Sequence, residues 1–282
     1  MIQTIAVCGA GTMGAGIAQV AANSGFATIL FDIAPAMLDR AKAQIEKSLA
    51  LAVDKGRLSA EDKEKTLKNL RYTNNIEDCI ADVIIEAIVE KPEAKSSLFN
   101  QLAEFNHTDT IFATNTSSLS VSTIAASVAV NPSRVVGMHF FNPAHAMKLV
   151  EVVSGSQTSE IAANTIFALA KQMGKTPVNV KDSPGFIVNR VARHYYLEAM
   201  TIAEDGLADF SAIDNLLEAA GFRMGPFALM DLIGNDINLA VSQSLYDAFQ
   251  HAPRFKPNRL QEQRVKEGKL GRKTGLGFYR YE

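Results

Sequence analysis

Residues 2–32 read IQTIAVCGAGTMGAGIAQVAANSGFATILFD, and this stretch decides the fold of the first half of the chain. An apolar, β-branched run at residues 2–7 leads into a glycine-rich turn and a helical segment, and a second apolar run occupies residues 27–31. Short apolar runs bounded by glycine or polar residues are typical of buried strands. The stretch therefore predicts a strand, a tight turn, a helix and a second strand that ends at an acid, Asp32.

Three glycines, Gly9, Gly11 and Gly14, follow the first strand with the spacing G-x-G-x-x-G. The first permits a tight turn, the second lacks the Cβ that would keep a pyrophosphate off the backbone, and the third lets the helix lie close to the strand. The N-terminus of the helix directs free N–H groups and its positive dipole end toward phosphates. Asp32, eighteen residues after Gly14, can accept hydrogen bonds from a ribose. Glycine-rich turns alone are weak evidence, but this context indicates a dinucleotide site.

Length, composition and charge limit the class of protein. A chain of 282 residues, 47% of them hydrophobic, is long enough for about two domains with a substantial core. A formal net charge of −2 argues against a protein that binds nucleic acid. Two cysteines, Cys8 and Cys79, favour a reducing compartment over a disulfide scaffold. Because the sequence shows neither a signal-like leader nor an apolar run of membrane-spanning length, we expect a cytoplasmic protein without a membrane partner.

Strand-like and helix-like segments alternate through the first two thirds of the chain. Further strands are predicted at residues 82–87, 110–114, 134–140, 148–153 and 176–180. Helices are predicted at residues 35–70 with a break near 55–57, and at 92–105, 119–128 and 159–173. This alternation predicts an α/β fold with a parallel, doubly wound sheet. Ser183 suits a helix N-cap and Pro184 a first helical turn, so we place a domain boundary between residues 184 and 185.

Residues 185–282 carry helical periodicity and no strand signal. The predicted helices are at residues 186–204, 211–220, 227–249 and 257–266. Their apolar content is high for a module of this size. We therefore expect a second, all-helical domain that buries part of its surface against another copy of the chain.

Polar residues that follow the later strands are the chemical candidates. Ligands in doubly wound folds bind beyond the carboxyl ends of strands, and residues 115–118 (NTSS) and 139–143 (HFFNP) lie at two such ends. Taken alone, Ser117 is more simply a helix N-cap, and His139 can be a satisfied core histidine. Glu151 lies twelve residues after His139, so an antiparallel hairpin would place its carboxylate beside the imidazole. A glutamate within LVEVV is costly to bury without such a partner.

Seven motifs extend through nearly the whole chain: GAGTMGAGIAQVAA at 9–22, EAIVE at 86–90, NTSSL at 115–119, GMHFFNPAHAMKLVEVV at 137–153, DSPGFIVNR at 182–190, MGPFALMDLIG at 224–234 and GRKTGLGFY at 271–279. Through these motifs the chain resembles the (S)-3-hydroxyacyl-CoA dehydrogenases, in particular the short bacterial 3-hydroxybutyryl-CoA dehydrogenases. Motifs of this length and order are far more specific than three glycines.

The resemblance implies an NAD-dependent oxidoreductase of fatty acid metabolism and β-oxidation. Its substrate would be a short-chain acyl-CoA such as 3-hydroxybutyryl-CoA, and its assembly a homodimer. Residues 1–184 would form a Rossmann-type NAD-binding domain, and residues 185–282 a helical substrate and dimerisation domain. The family's catalytic histidine and orienting glutamate fall on His139 and Glu151, and its substrate-contacting serine and asparagine on Ser117 and Asn189. Besides the three glycines, the family's cofactor contacts fall on Met13, Asp32, Glu90, Lys95, Asn115 and Lys273, with Asn142 near the reacting centre and the substrate.

One departure from the family concerns the CoA moiety. A serine that helps bind CoA in some animal members is replaced by Ala36 here, so those contacts do not carry over. Arg40, Lys47 and Lys55 share one side of the predicted helix and form a basic stripe. This stripe is either a solvated helix face or an alternative contact for CoA.

Oxidation of a secondary alcohol requires a base for the hydroxyl proton while hydride leaves the same carbon for the nicotinamide. We assign the base to His139, and to Glu151 the role of holding one imidazole tautomer and stabilising the imidazolium. Ser117 and Asn189 would hydrogen-bond substrate oxygens. The other histidines lack the spacing of a zinc site, so we expect no metal. Asp32 would repel the 2′-phosphate of NADP, which predicts a preference for NAD.

Two other hypotheses remain open at this point. Within enzymes, the substrate is another acyl-CoA, such as 3-hydroxyadipyl-CoA of aromatic degradation, or a sugar acid. Outside enzymes, the chain is a noncatalytic, NAD-binding structural protein. A structural protein has no need for a histidine, a glutamate, a serine and an asparagine at all four catalytic positions, which favours the enzyme.

Overall fold

The computed structural model describes residues 2–129 and 131–281. These residues divide between Ser183 and Pro184 into two compact units, hereafter the first and second units. The first unit contains an eight-stranded sheet with helices, and the second is helical. The predicted fold class is thus confirmed.

The first unit contains eight strands and six α-helices. Its strands are β1 (Thr4–Cys8), β2 (Ala27–Phe31), β3 (Leu70–Thr73), β4 (Val83–Glu86), β5 (Ile111–Thr114), β6 (Val135–Phe140), β7 (Leu149–Ser154) and β8 (Thr176–Lys181). Its helices are α1 (Thr12–Asn23), α2 (Pro35–Asp54), α3 (Ala60–Lys68), α4 (Pro92–Ala103), α5 (Val121–Ala126) and α6 (Glu160–Gln172).

The strand order of the sheet is β3-β2-β1-β4-β5-β6-β7-β8. All neighbouring strands are parallel except β6 and β7, which are antiparallel. Since β1 pairs with β2 on one side and with β4 on the other, the order reverses at β1. Ligands of doubly wound folds bind at such a reversal, beyond the carboxyl ends of the strands.

The core of the first unit explains why its central strands are apolar throughout. Ile5 and Val7 of β1 and Val83 and Ile85 of β4 are fully buried, as expected for strands covered on both faces. Small residues of α1, among them Ala18, are also fully buried and allow the helix to lie close to the sheet. Each fully buried Val or Ile contributes roughly 1.5–3 kcal/mol to folding.

The sequence-based prediction was wrong for β3. Residues 35–70 were expected to be helical to the end, but α3 ends at Lys68 and Leu70–Thr73 forms an edge strand. This strand is four residues long and only partly buried, so it lacks the apolar run that identifies a strand. Its partner, β2, supplies the hydrogen bonds that define it. The predicted break near residues 55–57 is confirmed, with Gly56 at φ 64° between α2 and α3.

The second unit contains five α-helices around an aromatic core. These are α7 (Val188–Glu204), α8 (Phe210–Ala219), α9 (Pro226–Ile233), α10 (Asn235–Ala248) and α11 (Arg259–Lys266). The rings of Phe210, Phe227 and Phe278 contact one another with centroids 4.6–5.1 Å apart. The helices of residues 2–129 and 131–281 include none with both the length and the apolar character that a membrane span requires.

Two details of the second unit differ from the prediction. The single helix expected at residues 227–249 is broken by Gly234, whose φ of 106° is outside the helical region. The expected cap at Ser183 and Pro184 is also wrong, because α7 begins only at Val188. Gly185 has a φ of 73°, which a helix beginning at residue 184 cannot accommodate.

Two buried aspartates hold the C-terminal segment of the second unit. Asp231 accepts hydrogen bonds from the backbone N–H groups of Phe278 and Tyr279, each at 2.9 Å. Asp214 accepts a bond from the Tyr279 hydroxyl at 2.8 Å. A Cβ at Gly277 would lie 2.0 Å from an Asp231 oxygen, so only glycine fits there. These contacts explain the GLGFY part of the C-terminal motif.

Candidate active site

The glycine turn after β1 is closed on its protein side and open on the other. A Cβ at Gly14 would lie 1.7 Å from the carbonyl oxygen of Gly9, and a Cβ at Gly9 would lie 2.6 Å from that of Ala87. A Cβ at Gly11 would meet nothing within 4 Å. The backbone is therefore accessible at Gly11, where a pyrophosphate can approach the start of α1. The N-cap of α1 is this same Gly11, without a side chain to cover the first N–H groups.

Asp32 lies directly after β2 and is held by the turn. Its Oδ2 accepts a hydrogen bond from Ala10 N at 2.8 Å, and its Oδ1 accepts one from Ala34 N at 2.9 Å. A carboxylate has about four acceptor positions, so two remain for ribose hydroxyls. The turn, the helix terminus and this acid together fit an adenine dinucleotide. Met13 lies in the first turn of α1 and packs partly against the core.

Beyond β4 the structure contains a buried ion-pair cluster. The Lys95 Nζ lies 2.6 Å from Glu86 Oε1 and 3.1 Å from Glu90 Oε2, and its side chain is only 1% exposed. Burial raises the pKa of Glu86 above its ordinary value, an effect that Lys95 and Thr114 partly offset. Burial alone would raise the pKa of Glu90 too, but the Lys95 ammonium and further hydrogen bonds bring it below its ordinary value. Lys95 thus pairs with both Glu90, which the sequence predicted as a cofactor contact, and Glu86. Sequence reasoning did not assign Glu86 to this site.

Glu90 also holds the loop that contains Ser117. Its Oε1 accepts hydrogen bonds from Thr116 Oγ1 at 2.5 Å, Ser117 N at 3.0 Å and Ser118 Oγ at 3.3 Å. The N-cap of α5 is Ser120, whose hydroxyl accepts a bond from the N–H of residue 123. The alternative that Ser117 is the helix cap is therefore wrong. A loop whose backbone is held by a carboxylate can present the Ser117 hydroxyl in a defined position.

His139 and Glu151 face each other across the β6–β7 hairpin. They form a register pair of the antiparallel ladder, and His139 Nδ1 lies 2.8 Å from Glu151 Oε2. Both residues are buried, with relative exposures of 5% and 1%. An ionised carboxylate at this distance places the proton of a neutral imidazole on Nδ1, which leaves Nε2 as the acceptor. The Phe141 ring packs against the imidazole with centroids 4.5 Å apart.

Two predicted asparagines flank this histidine. Asn115 follows β5, and its Oδ1 accepts a hydrogen bond from Phe140 N at 2.8 Å, which ties the ends of β5 and β6 together. Asn142 lies just beyond β6 on the surface and precedes a cis peptide bond to Pro143. Both follow strands at the same edge of the sheet, as the sequence predicted.

The remaining predicted residues, Asn189 and Lys273, belong to the second unit. Asn189 lies in the first turn of α7. Lys273 pairs with Asp236, whose two carboxylate oxygens are each 2.6 Å from the ammonium. Burial would raise the pKa of Asp236, but the hydrogen bond from Lys273 and backbone N–H groups lower it. The sequence gave no signal for the pairing of Lys273 with Asp236, because Asp236 is a single acidic residue in the first turn of α10.

A basic cavity lies near α2 in the first unit. It has a volume of about 380 Å³, and its described lining includes no Asp or Glu. The cationic side chains that line it are Lys55, Arg57, Lys148 and Lys175. His145 also lines it, and burial, followed by the charge of Lys175, lowers the pKa of its imidazole. Burial, followed by the charge of Lys148, lowers the pKa of Lys175. Of the predicted basic stripe, Lys55 lines this cavity, whereas Arg40 and Lys47 are exposed and do not.

Comparison with known proteins gives matches along the whole chain. The family model described as "3-hydroxyacyl-CoA dehydrogenase, NAD binding domain" matches residues 4–183, and that of the C-terminal domain matches residues 185–281. A 3-hydroxyadipyl-CoA dehydrogenase of Escherichia coli K12 is 49% identical over 99% of this chain, which spans 59% of that relative's length. A 3-hydroxybutyryl-CoA dehydrogenase of Clostridioides difficile is 43% identical over 98% of this chain and 99% of its own.

Solved structures agree with these matches. The crystal structure of an (S)-3-hydroxybutyryl-CoA dehydrogenase from Ralstonia eutropha superposes with a TM-score of 0.95 at 38% identity, covering 100% of both chains. The resemblance that the sequence motifs indicated is therefore confirmed.

Proposed function

The chain belongs to the 3-hydroxyacyl-CoA dehydrogenase family, and we propose that it interconverts short-chain (S)-3-hydroxyacyl-CoA and 3-oxoacyl-CoA with NAD. The observation that carries this proposal is the buried His139–Glu151 pair, 2.8 Å apart at the carboxyl edge of the sheet. A neutral imidazole with one nitrogen fixed by a carboxylate is the general base that alcohol oxidation requires.

In the oxidative direction, His139 Nε2 takes the proton of the 3-hydroxyl group. When bound, NAD⁺ supplies the acceptor for the hydride that leaves the same carbon. The imidazolium that results is stabilised by the Glu151 carboxylate at Nδ1. In the reductive direction, the imidazolium returns the proton to the oxygen of the forming alcohol, so protons and electrons balance in both directions.

Ser117 and Asn189 are proposed to hydrogen-bond substrate oxygens. The support for Ser117 is the loop geometry, because Glu90 accepts bonds from the Ser117 backbone and from the Thr116 hydroxyl. A preorganised donor contributes to catalysis only if it does not have to reorient during the reaction. Asn189, in the first turn of α7, is proposed for the same role on the evidence of the family motif alone.

The cofactor contacts are proposed from the fit of the glycine turn. Gly11 leaves the backbone open to the pyrophosphate, and Asp32 keeps two acceptor positions for ribose hydroxyls. We also propose contacts to the cofactor from Gly9, Met13, Gly14, Glu90, Lys95, Asn115, Asn142 and Lys273. Because Lys95 is committed to two carboxylates, its contribution would pass through the position of Glu90.

The basic cavity near α2 is proposed to hold the phosphates of CoA. Its four lysine and arginine side chains have no acid among the described lining residues, so an anion would relieve their mutual repulsion. Lys175 also donates to the carbonyl oxygens of Ala144 and Met147 at 2.5 and 2.9 Å, which fixes the loop between β6 and β7. Lys55 thus replaces the absent serine contact, whereas Arg40 and Lys47 are solvated helix residues.

We further propose a homodimer formed by the second unit, and a cytoplasmic location. Val191, Leu216 and Ile237 are 65%, 70% and 52% exposed, which leaves apolar surface for a second copy. Light scattering at micromolar concentration should report a dimer. A monomer, or a dimer that persists after Leu216→Asp and Ile237→Asp together, would contradict this interface. The free, buried Cys8 and Cys79 fit a reducing compartment.

The decisive experiment is a spectrophotometric assay of NADH oxidation with acetoacetyl-CoA and longer 3-oxoacyl-CoA substrates. The wild type should turn over the short-chain substrates, and His139→Ala should lower kcat by about 10²–10⁴-fold or more. His251→Ala, at a histidine that is 67% exposed in its side chain, is the matched control and should retain activity. Near-normal turnover by His139→Ala, with NADH binding intact, would overturn the assignment.

A second candidate substrate has a specific observation in its favour. The Escherichia coli relative with 49% identity is named for 3-hydroxyadipyl-CoA, which carries a free carboxylate at the end of its acyl chain. The proposed chemistry at C3 is the same for both substrates. What differs is whether the protein offers a partner for a distal negative charge.

A further inference from the structure

One buried lysine serves two glutamates beyond the carboxyl end of β4. The Lys95 ammonium lies 2.6 Å from Glu86 Oε1 and 3.1 Å from Glu90 Oε2, and the Lys95 side chain is 1% exposed. Lysine is almost never buried to this extent unless it is paired. Here two carboxylates share a single cation, so the group carries more negative than positive charge. The other bonds of each carboxylate therefore show what the cation is needed for.

Glu86 and Glu90 hold different parts of the first unit. Glu86 is fully buried and accepts hydrogen bonds from Ile88 N and from the Thr114 hydroxyl, each at 2.7 Å. These bonds fix the ends of β4 and β5. Glu90 has a side chain that is 37% exposed, and it directs Oε2 to Lys95 and Oε1 to the loop after β5. Glu86 thus anchors the ammonium at the sheet, and Glu90 connects the ammonium to the loop.

The Oε1 atom of Glu90 accepts hydrogen bonds from three consecutive residues of that loop. The donors are Thr116 Oγ1 at 2.5 Å, Ser117 N at 3.0 Å and Ser118 Oγ at 3.3 Å. Ser117 is also the residue whose hydroxyl is proposed to contact the substrate. An ionised oxygen accepts hydrogen bonds that are about twice as strong as those of a neutral oxygen. The position of Ser117 therefore depends on whether Glu90 is ionised.

The ionisation of Glu90 depends on Lys95. Burial alone would raise the pKa of Glu90, but the Lys95 ammonium and the hydrogen bonds of the loop bring it below its ordinary value. The groups that face Glu90 are Lys95 from α4, hydroxyl and N–H groups from the loop after β5, and, at the same ammonium, the like-charged Glu86 from β4. Lys95 is the cation among these groups. Without it, burial dominates, the pKa of Glu90 rises, and the carboxylate takes up a proton in acidic solution.

We propose that Lys95 is a positioning residue for the substrate: it holds Glu90 as an anion, and Glu90 holds Ser117 in place for the oxygen at C3 of the acyl group. This inference rests on the proposed dehydrogenase function and adds to it a residue that acts through another. A direct contact from Lys95 to the cofactor would require an accessible ammonium, whereas this one is 1% exposed and already contacts two carboxylates.

The variant that tests this role is Glu86→Gln/Lys95→Met, because it removes the ammonium without leaving Glu86 as a buried, unpaired charge. The assay is NADH oxidation with acetoacetyl-CoA between about pH 5 and pH 9. In this direction His139 must be protonated, so its titration limits the rate at high pH. A loss of activity at low pH therefore reports a different group, one that must be ionised.

The loss in the variant should depend on pH. Near pH 5, Glu86→Gln/Lys95→Met should fall about 10-fold or more below the wild type in kcat/KM, and the gap should narrow as Glu90 ionises toward about pH 8. Glu90→Gln, which cannot ionise, should show the lower activity at every pH. Lys91→Met, at an exposed lysine just before α4, is the matched control and should follow the wild type.

Two further measurements separate positioning from direct contact. At about pH 8, where Glu90 is ionised, the Kd for NADH measured by fluorescence should stay within about 3-fold of the wild type, whereas a rise of about 10-fold or more would show that Lys95 contacts the cofactor. In a Ser117→Ala background, Glu86→Gln/Lys95→Met should cost less than about 3-fold in kcat/KM near pH 5, because the loop no longer presents the hydroxyl.

Each contrary outcome has a distinct meaning. If the wild type reduces no 3-oxoacyl-CoA, the proposed function fails and this inference fails with it. If the wild type is active but the loss in Glu86→Gln/Lys95→Met is the same at every pH, or is as large without the Ser117 hydroxyl as with it, the function stands and the role of Lys95 is overturned. Should that variant not fold, Glu90→Gln decides, because full activity there would show that Ser117 needs no anion beside it.

Discussion

Replacement of Glu151 by Gln tests whether the carboxylate acts through His139. The substitution keeps the shape of the side chain and a hydrogen-bonding oxygen, but it removes a negative charge 2.8 Å from the imidazole Nδ1. Opposite unit charges about 4 Å apart interact by roughly 4 kcal/mol at an effective dielectric constant of ~20. Because both side chains are buried, water screens little of this interaction.

The expected direction follows from the role of the base. In alcohol oxidation the imidazole must be neutral to take the hydroxyl proton, so activity is lost at low pH when the ring becomes charged. The carboxylate favours the charged ring. Without it, charging requires a more acidic solution, and the acid limb of kcat/KM should move to lower pH. At the same time kcat should fall by at least about 100-fold, because the imidazolium formed during the reaction loses its partner.

The assay is NADH formation from (S)-3-hydroxybutyryl-CoA between about pH 5 and pH 10. Glu151→Asp, which retains the charge, should keep the acid limb near its wild-type position even if the shorter side chain lowers kcat. Glu160→Gln, at an exposed glutamate in the first turn of α6, is the surface control. An unchanged limb with full activity in Glu151→Gln would refute the reasoning, and so would the same kcat loss without any shift.

Three further predictions concern the cofactor, the ion-pair cluster and CoA. The wild type should prefer NADH over NADPH by more than about 100-fold in kcat/KM, and Asp32→Ala should remove most of this preference; equal use of both by the wild type would contradict the role of Asp32. Glu86→Gln should lower the free energy of unfolding, measured by urea titration, by about 3–5 kcal/mol, because Lys95 stays buried with only Glu90 as its partner. The double variant Glu86→Gln/Lys95→Met should lose less of this free energy. Lys148→Ala should raise KM about 10-fold for acetoacetyl-CoA but not for a substrate truncated to N-acetylcysteamine, and an equal rise for both would exclude a contact to the CoA phosphates.

Local sequence determined the nucleotide-binding part of the fold. β2 spans Ala27–Phe31 as predicted, and α1 begins at Thr12 directly after the glycine turn. These features are predictable because each depends on neighbours a few residues away: apolar runs favour strands, and glycine supplies a φ of 104° at Gly9. The contact between His139 and Glu151 was also predictable from sequence, because the two residues lie on consecutive apolar strands that are joined by a short connection.

Other features depended on residues far apart in the chain and were missed or misplaced. Leu70–Thr73 is a strand because β2 offers an open edge, which no local pattern reveals. Gly234 interrupts the helix expected at residues 227–249, although apolar periodicity continues across it. Ser120, and not Ser117, caps α5, because Glu90 holds the intervening loop in a non-helical conformation.

Only the tertiary structure shows whether a buried charged side chain has an oppositely charged partner. The sequence shows that Glu86, Lys95 and Arg193 are charged, and its motifs identify the family, but the free energy of a charge depends on what surrounds it. The fold places Glu86 against Lys95, whereas it places Arg193 among neutral groups. One charge is thereby neutralised by a carboxylate and the other is surrounded by neutral hydrogen-bond acceptors, because Coulomb interactions act over ångströms in space and not over residues in sequence.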